Sequence, residues 1–457
     1  MKSSEKDMTK GSPGKLILTF ALPLMLGNMF QQAYTLVDTA VVGQVVGVNA
    51  LAAVGSVDWF NWMSLGVCQG LTQGFSILLA QQFGARDEKG LQKTLGTSLV
   101  LSLLSALAVT ILFLASTGSV LRLMGTREEI LSDALLYIRI MFGGIIIVMT
   151  YNWLSAVLRA IGDSTTPLIA MGIASICNIV LDILFVALFH WGIAGAAAAT
   201  LLAQVVSCIY CFQKIRKSSV LRIDRESLRV DMRLTRKLFS LGSPVALQNI
   251  IISIGGMILQ SIVNSFGVVF VAGFTATNKL YGLLEIAAIS FGYAVSTYAG
   301  QNLGAGEYER IRTGVKRGAL MAIATSVLIA VLMLLFGEQL IGLFVEKGNP
   351  NALQVLDYGR HYLTVLSLFL PILYCLHIYR SALQGMGNTL IPMASGIAEL
   401  CMRIGSAMIL PGFWGEYGVY FAEVAAWTGA AVLLYVSYRR VLLTIVGKRS
   451  GKKIEGK

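Results

Sequence analysis

Residues 213–237 read QKIRKSSVLRIDRESLRVDMRLTRK, the longest polar stretch in a chain that is otherwise apolar over long runs. On either side, apolar runs of about 20 residues recur, each able to cross ~30 Å of hydrocarbon as a helix. Read against the loop signals, they predict twelve spans: 16–43, 51–80, 94–117, 134–158, 166–189 and 191–213, then 237–264, 269–299, 314–337, 358–383, 391–411 and 417–441. The polar stretch divides them into two sets of six. The fold class is therefore an all-α polytopic membrane protein.

Composition agrees. The 457 residues are 56% hydrophobic and only 13% charged, against about 25% charged in a soluble domain. The net charge of +12 would suit nucleic acid, but the positions of the charges exclude that reading. Lysine and arginine gather in the N-terminal tail, the 214–237 loop, the 310–317 loop and the C-terminal tail. All four fall on one side of the membrane if the chain crosses an even number of times, and the positive-inside rule makes that side cytoplasmic. Basic segments beside a bilayer attract anionic headgroups, so membrane lipids are expected partners. The opening MKSSEKDMTKGSPGK leads straight into a full-length span rather than a cleavable signal. The expected organisation is a cytoplasmic tail (1–15), a first lobe (16–213), a cytoplasmic linker (214–236), a second lobe (237–441) and a basic cytoplasmic tail (442–457).

The two halves repeat each other. FALPLMLGN (20–28) matches LGSPVALQN (241–249), QQFGARDEKGLQK (81–93) matches QNLGAGEYERIRT (301–313), and LRAIGDSTTP (158–167) matches LQGMGNTLIP (383–392). The three anchors keep their order and nearly the same offset. Six spans separate the copies, so both halves have the same orientation, which predicts two pseudo-symmetric six-helix lobes around a central cavity. That is a transporter architecture. No GxxxxGK[ST] phosphate loop occurs, so an ion gradient is the energy source available to this chain.

Polar residues at membrane depth are the informative ones, because each needs a partner or water. A carboxylate there costs roughly 2.5–3.5 kcal/mol even on the mild insertion scale. The first half carries Asp38, Asn152, Asn178, Asp182 and Thr200. Asn178 and Asp182 are four apart, on one helix face. Helical rise places Asp38 in the outer half of span one and Asp182 beyond the midplane of span five, so the two carboxylates are expected to share a site open to the outside. Two anions in a low-dielectric cavity repel, which favours uptake of a proton or a small cation. Oxygen-only ligands from Asp38, Asp182, Asn178 and Thr200 suit a hard ion such as Na⁺ as well as they suit H⁺. The competing reading is that these groups only cross-link helices.

The second half does not repeat the set: Asp38 faces Leu259, Asn178 faces Arg403 and Asp182 faces Ala407. It carries Lys279, Glu285, His377, Glu399, Arg403 and Glu423 instead. Glu399 and Arg403 are i,i+4, so an intrahelical ion pair is the default expectation. Glu285 can meet a cationic substrate, and His377 is either a titrating group or a packing histidine. Tyr34, Tyr137 and methionines such as Met257 suit a tolerant pocket for aromatic cations. Pro23 lies inside span one and predicts a kink. Cys208 and Cys211 form a CxxC inside an apolar span with no second pair nearby, which reads as packing rather than metal or redox chemistry.

The run LPLMLGNMFQQAYTLVDTAVVGQVVGVNALAAVGS (22–56), with AQQFGARD, LRAIGDSTTP and NIVLDILF, resembles the multidrug and toxic compound extrusion (MATE) family over essentially the whole chain. The resemblance implies two six-helix bundles in an outward-opening V, exporting organic cations in exchange for H⁺ or Na⁺. Carried over, the family's first-lobe site falls on Asp38, Asn152, Asn178, Asp182 and Thr200, with Tyr34 and Tyr137 nearby. The family's NorM-like branch places an acidic residue in span seven. LGSPVALQNIIISIGGMILQSIVNSFG has none, which favours a DinF-like or related prokaryotic branch. A flippase for lipid-linked sugars is the alternative. No cofactor, enzyme activity or obligate protein partner is expected.

Overall fold

The computed structural model describes residues 6–223, 227–344 and 350–454. The first five residues of the tail, 224–226 of the linker and the last three residues of the basic tail lie outside the described residues. Within them the chain is helical, without a strand: α1 (Pro13–Val41), α2 (Val48–Ala85), α3 (Glu88–Leu123), α4 (Glu128–Gly143), α5 (Ile145–Ala160), α6 (Thr165–Asp182), α7 (Gly192–Lys217), α8 (Met232–Val263), α9 (Val268–Gly304), α10 (Tyr308–Gly342), α11 (Ala352–Gly385), α12 (Leu390–Ile409), the short α13 (Pro411–Trp414) and α14 (Phe421–Ile454).

These helices make twelve crossings. The region expected as one span at 134–158 is two helices, α4 and α5, bent by 46°. The break falls at Gly144, where an added Cβ would lie 2.2 Å from Leu201 Cδ2 on α7. Near the other end of the chain, Leu390–Ile445 is a single apolar stretch of 56 residues. At ~1.5 Å per residue it is far too long for one crossing. Gly415, with φ of 59°, turns the chain so that α14 packs back against α12. Helix α1 runs on through Pro23 without interruption.

The internal repeat is written in the backbone. Left-handed residues recur in matching places: Gly47 (φ 117°) and Gly267 (95°), Arg86 (55°) and Gly306 (72°), Gly162 (86°) and Gly387 (85°), Gly192 (59°) and Gly415 (59°). Each pair lies 220–225 residues apart, the offset of the sequence anchors. The anchors mark helix junctions. In GDSTTP, Gly162 takes the conformation that side chains resist, and Asp163 then caps α6 by accepting from Thr165 N (3.0 Å), Thr166 N (2.9 Å) and Thr166 Oγ1 (2.6 Å). In GNTLIP, Asn388 Oδ1 accepts from Ile391 N at 3.2 Å.

Burial repeats as well. The most apolar windows of α2 and α9 are each 67% buried, and those of α3 and α10 each 22%. The former pair is interior, while α3 and α10 display leucines to lipid. The chain forms two compact units, one of Pro23–Asn249 with the segment up to Asp7, the other of Met8–Leu22 and Ile250–Lys457.

In the first unit α2 and the start of α8 approach through small residues. An added Cβ on Gly70 would fall 2.5 Å from Ala246 Cα, and one on Gly74 would fall 2.2 Å from Gly242 Cα. Gly66, Gly70 and Gly74 are spaced by four, the small-xxx-small pattern that lets membrane helices touch backbone to backbone. The same unit's core includes Leu95, Trp153, Leu158, Cys211 and Ile215, with Trp153 Nε1 donating to Ser98 Oγ at 3.0 Å. Cys211 is thus a packing residue, and Cys208 Sγ donates to Ile147 O at 3.6 Å.

Candidate functional site

In the first unit, α6 carries Asn178 and Asp182 one turn apart, 1% and 0% exposed. Opposite, α7 carries Thr200 and Gln204, also one turn apart. Asn178 Nδ2 donates to Thr200 Oγ1 at 3.5 Å. Tyr34, Asn178, Thr200 and Gln204 line one cavity of about 10 Å³, at the lower limit for a single water. Asp38, on α1 one turn beyond Tyr34, is half-buried.

The acceptor oxygens there are under-satisfied. Asp38 Oδ1, Asn178 Oδ1, Gln204 Oε1 and both Asp182 oxygens are buried and accept no hydrogen bond from the described residues. Buried polar atoms in native proteins are overwhelmingly bonded, so oxygens grouped in this way are open to a ligand rather than committed to protein donors. Asp182 interacts electrostatically with Asp38, and Tyr34 and Tyr137 feel both carboxylates. What this group lacks is positive charge or a donor. Chemically it suits a proton shared between acids, or a desolvated hard cation.

The structure thus brings together Tyr34, Tyr137, Asp38, Asn178, Asp182 and Thr200. Asp182 is fully buried, and of the two carboxylates Asp38 is the one with accessible surface. Asn152 Nδ2 donates to Val148 O of its own helix at 2.9 Å, and its neighbour Tyr151 lines the cavity. Two residues escaped the sequence reading. Gln204 is uncharged and sits in the apolar run ATLLAQVV. Asp58, exposed on α2, interacts electrostatically with Asp38. It is a carboxylate within span two, and the cost argument that singled out Asp38 applied to it equally. Among the described residues no group of three or more His, Cys, Asp and Glu stands ready to hold a metal, so a Na⁺ ion here would need amide and hydroxyl oxygens in addition to the two carboxylates.

The buried charges of the second unit are of both signs, and they are paired. Arg380 Nη2 on α11 donates to Glu399 Oε1 on α12. Arg403 Nη2 donates to Glu423 Oε2 on α14 at 2.9 Å. The expected intrahelical pair between Glu399 and Arg403 is therefore not formed: each reaches a different helix, because tertiary packing offers partners that place them across helix interfaces. His377 Nε2 on α11 lies 3.1 Å from Glu285 Oε1 on α9, so each of these expected cavity residues has a protein partner. Met257 on α8 is half-buried, with its carbonyl accepting from Ser261 Oγ at 3.1 Å.

Comparison with known proteins identifies the family. The sequence matches the MatE family over residues 23–184 and 244–409, one segment in each half. It is 31% identical over 443 residues to the probable multidrug resistance protein YpnP of Bacillus subtilis (strain 168), covering 95% of this chain and 97% of that protein. It is 28% identical over 445 residues to the probable multidrug resistance protein YoeA of the same organism, covering 95% of each. A crystal structure of MATE in complex with MaL6 matches with a TM-score of 0.91 at 26% identity, covering 98% of this chain and 100% of that one. The chain belongs to the MATE family. Members of that family are transporters, so this protein is a multi-pass membrane transporter and not an enzyme.

Proposed function

We propose that this protein is a secondary active antiporter of the plasma membrane, with both termini cytoplasmic. It exports amphipathic, mostly cationic organic compounds in exchange for H⁺ or Na⁺ by alternating access. The observation that carries the coupling site is the set of five buried, unbonded acceptor oxygens on Asp38, Asn178, Asp182 and Gln204. A transporter that binds its coupling ion in one state and releases it in another needs a site whose oxygens are not already committed to protein donors. Asp38 and Asp182 supply the charge, while Asn178, Thr200 and Gln204 supply neutral oxygens. Tyr34 and Tyr137 lie within electrostatic reach of both acids and suit the aromatic face of a cationic substrate.

The resemblance to proteins named for multidrug resistance supports the substrate class. A flippase for lipid-linked sugars would need free cationic groups for a pyrophosphate. The buried arginines of the second unit, Arg380 and Arg403, are instead bound to glutamates. The test is ethidium efflux from proteoliposomes under an imposed pH gradient or an imposed Na⁺ gradient. Efflux driven by one gradient and lost in Asp38→Asn supports the reading and names the ion. Undiminished efflux by Asp38→Asn would remove Asp38 from the coupling site.

A further inference from the structure

One cavity of the second unit lies at one end of its helices. It has a volume of about 460 Å³ and sits between the first turns of α10, the end of α11 and the C-terminal part of α14. Its end of the bundle is the one where the N-terminal segment docks, since Met8 N donates to Gln301 Oε1 and Arg310 Nη2 donates to Gly11 O.

The lining has two chemistries. Arg312, Lys316 and Arg439 supply three positive charges and Glu309 one negative. Glu309 is 4.0 Å from Arg312, while Lys316 and Arg439 have no acidic partner among the described residues. Beside them is an aromatic and aliphatic wall. Tyr379 packs against Tyr435 and Tyr438 with ring centroids 5.1 and 5.4 Å away, and Leu320 and Leu443 at the mouth are 58% and 67% exposed. Arg439 Nη1 donates to Tyr435 OH at 3.4 Å, which ties the cationic rim to the aromatic wall.

An amphiphile fits this division, a small soluble anion does not, because it would leave the leucine and tyrosine wall uncovered. A cationic transport substrate is repelled by the net positive rim. The wall continues into the lipid-facing surface of α10, so the occupant comes from the bilayer. We propose that this pocket is a binding site for one anionic phospholipid, its phosphodiester held by Arg312, Lys316 and Arg439 and its upper acyl chains lying against Tyr379, Leu320 and Leu443. Basic pockets between membrane helices at the headgroup level are suited to such lipids. The site is separate from ion coupling and does not depend on it.

Native mass spectrometry of the full-length protein in detergent tests this, with phosphatidylglycerol and phosphatidylcholine of identical chains as probes. The expected result is one retained phosphatidylglycerol, bound roughly tenfold or more tightly than phosphatidylcholine. Arg312→Gln/Lys316→Gln/Arg439→Gln removes that preference. Lys214→Gln/Arg216→Gln/Lys217→Gln, an equal charge removal at the end of α7, keeps it. Lys316→Glu alone, on an exposed side chain, weakens it in the same direction and guards against misfolding of the triple variant. Equal affinity for the two lipids, or equal loss in the α7 variant, would overturn the proposal. Displacement of the lipid by glycerol phosphate at matching concentration would overturn it too, making the site one for soluble anions.

Discussion

Asp182 lies one turn beyond Asn178 on the same face of α6, fully buried, and neither of its carboxylate oxygens accepts a hydrogen bond from the described residues. A side chain kept for stability would be bonded; this one is exposed to the full cost of burial. Replacing a buried unsatisfied polar group by an apolar one of similar shape is neutral or stabilising. Asp182→Leu is therefore expected to unfold in detergent at a temperature equal to or above that of the wild type, while gradient-driven efflux is lost. A clear fall in melting temperature, with efflux retained, would make Asp182 a structural cross-link.

Arg403 behaves in the opposite way. Its guanidinium is buried with Glu423 at 2.9 Å and also feels Glu399. Removing one member of a buried pair costs about 3–5 kcal/mol, because the other charge is left without compensation. Arg403→Met is expected to be strongly destabilised. Arg403→Met/Glu423→Gln should recover much of that loss, and a double-mutant cycle on thermal or denaturant unfolding measures the coupling directly. If the two single variants and the double variant were simply additive, the pair would carry no interaction.

The contact between α2 and α8 is set by glycine. A Cβ on Gly74 would meet backbone atoms of Gly242 at 2.2 Å, and backbone cannot swing aside as a side chain can. Gly74→Val should lower the yield of folded, monodisperse protein much more than Gly118→Val, where nothing lies within 4 Å of an added Cβ. Size-exclusion profiles of the two variants, expressed side by side, give the answer. Similar profiles would mean that the helices separate at little cost.

Much of this was legible in the sequence, and physical reasons separate what was from what was not. Spans and repeat were visible because a bilayer demands long apolar helices and because junctions such as GDSTTP need a left-handed glycine followed by a capping side chain. The break at Gly144 was hidden, since apolar residues flank it on both sides and the Leu201 side chain that fills the space beside it is far away in sequence. Asp38, Asn178, Asp182 and Thr200 stood out by the cost of polarity in hydrocarbon. Gln204 answers to the same argument only weakly, being a neutral amide in an apolar run, whereas Asp58 answers to it as strongly as Asp38. The partners of Glu399 and Arg403 could not be read from spacing: the i,i+4 rule describes an isolated helix, whereas Arg380 and Glu423 are brought in by packing.

The central claim is that the coupling ion and the organic substrate exchange at the first-half carboxylates. The most direct test is ion release on substrate binding, in purified protein held in a weakly buffered solution with a pH indicator, and in parallel after loading with ²²Na⁺. Ethidium is expected to release either protons or Na⁺ from the wild type. The release should be absent in Asp38→Asn/Asp182→Asn and intact in a variant of the second-half pair, Glu285→Gln. Release that persists in the double aspartate variant and vanishes in Glu285→Gln would contradict the account and move coupling to Glu285 and His377.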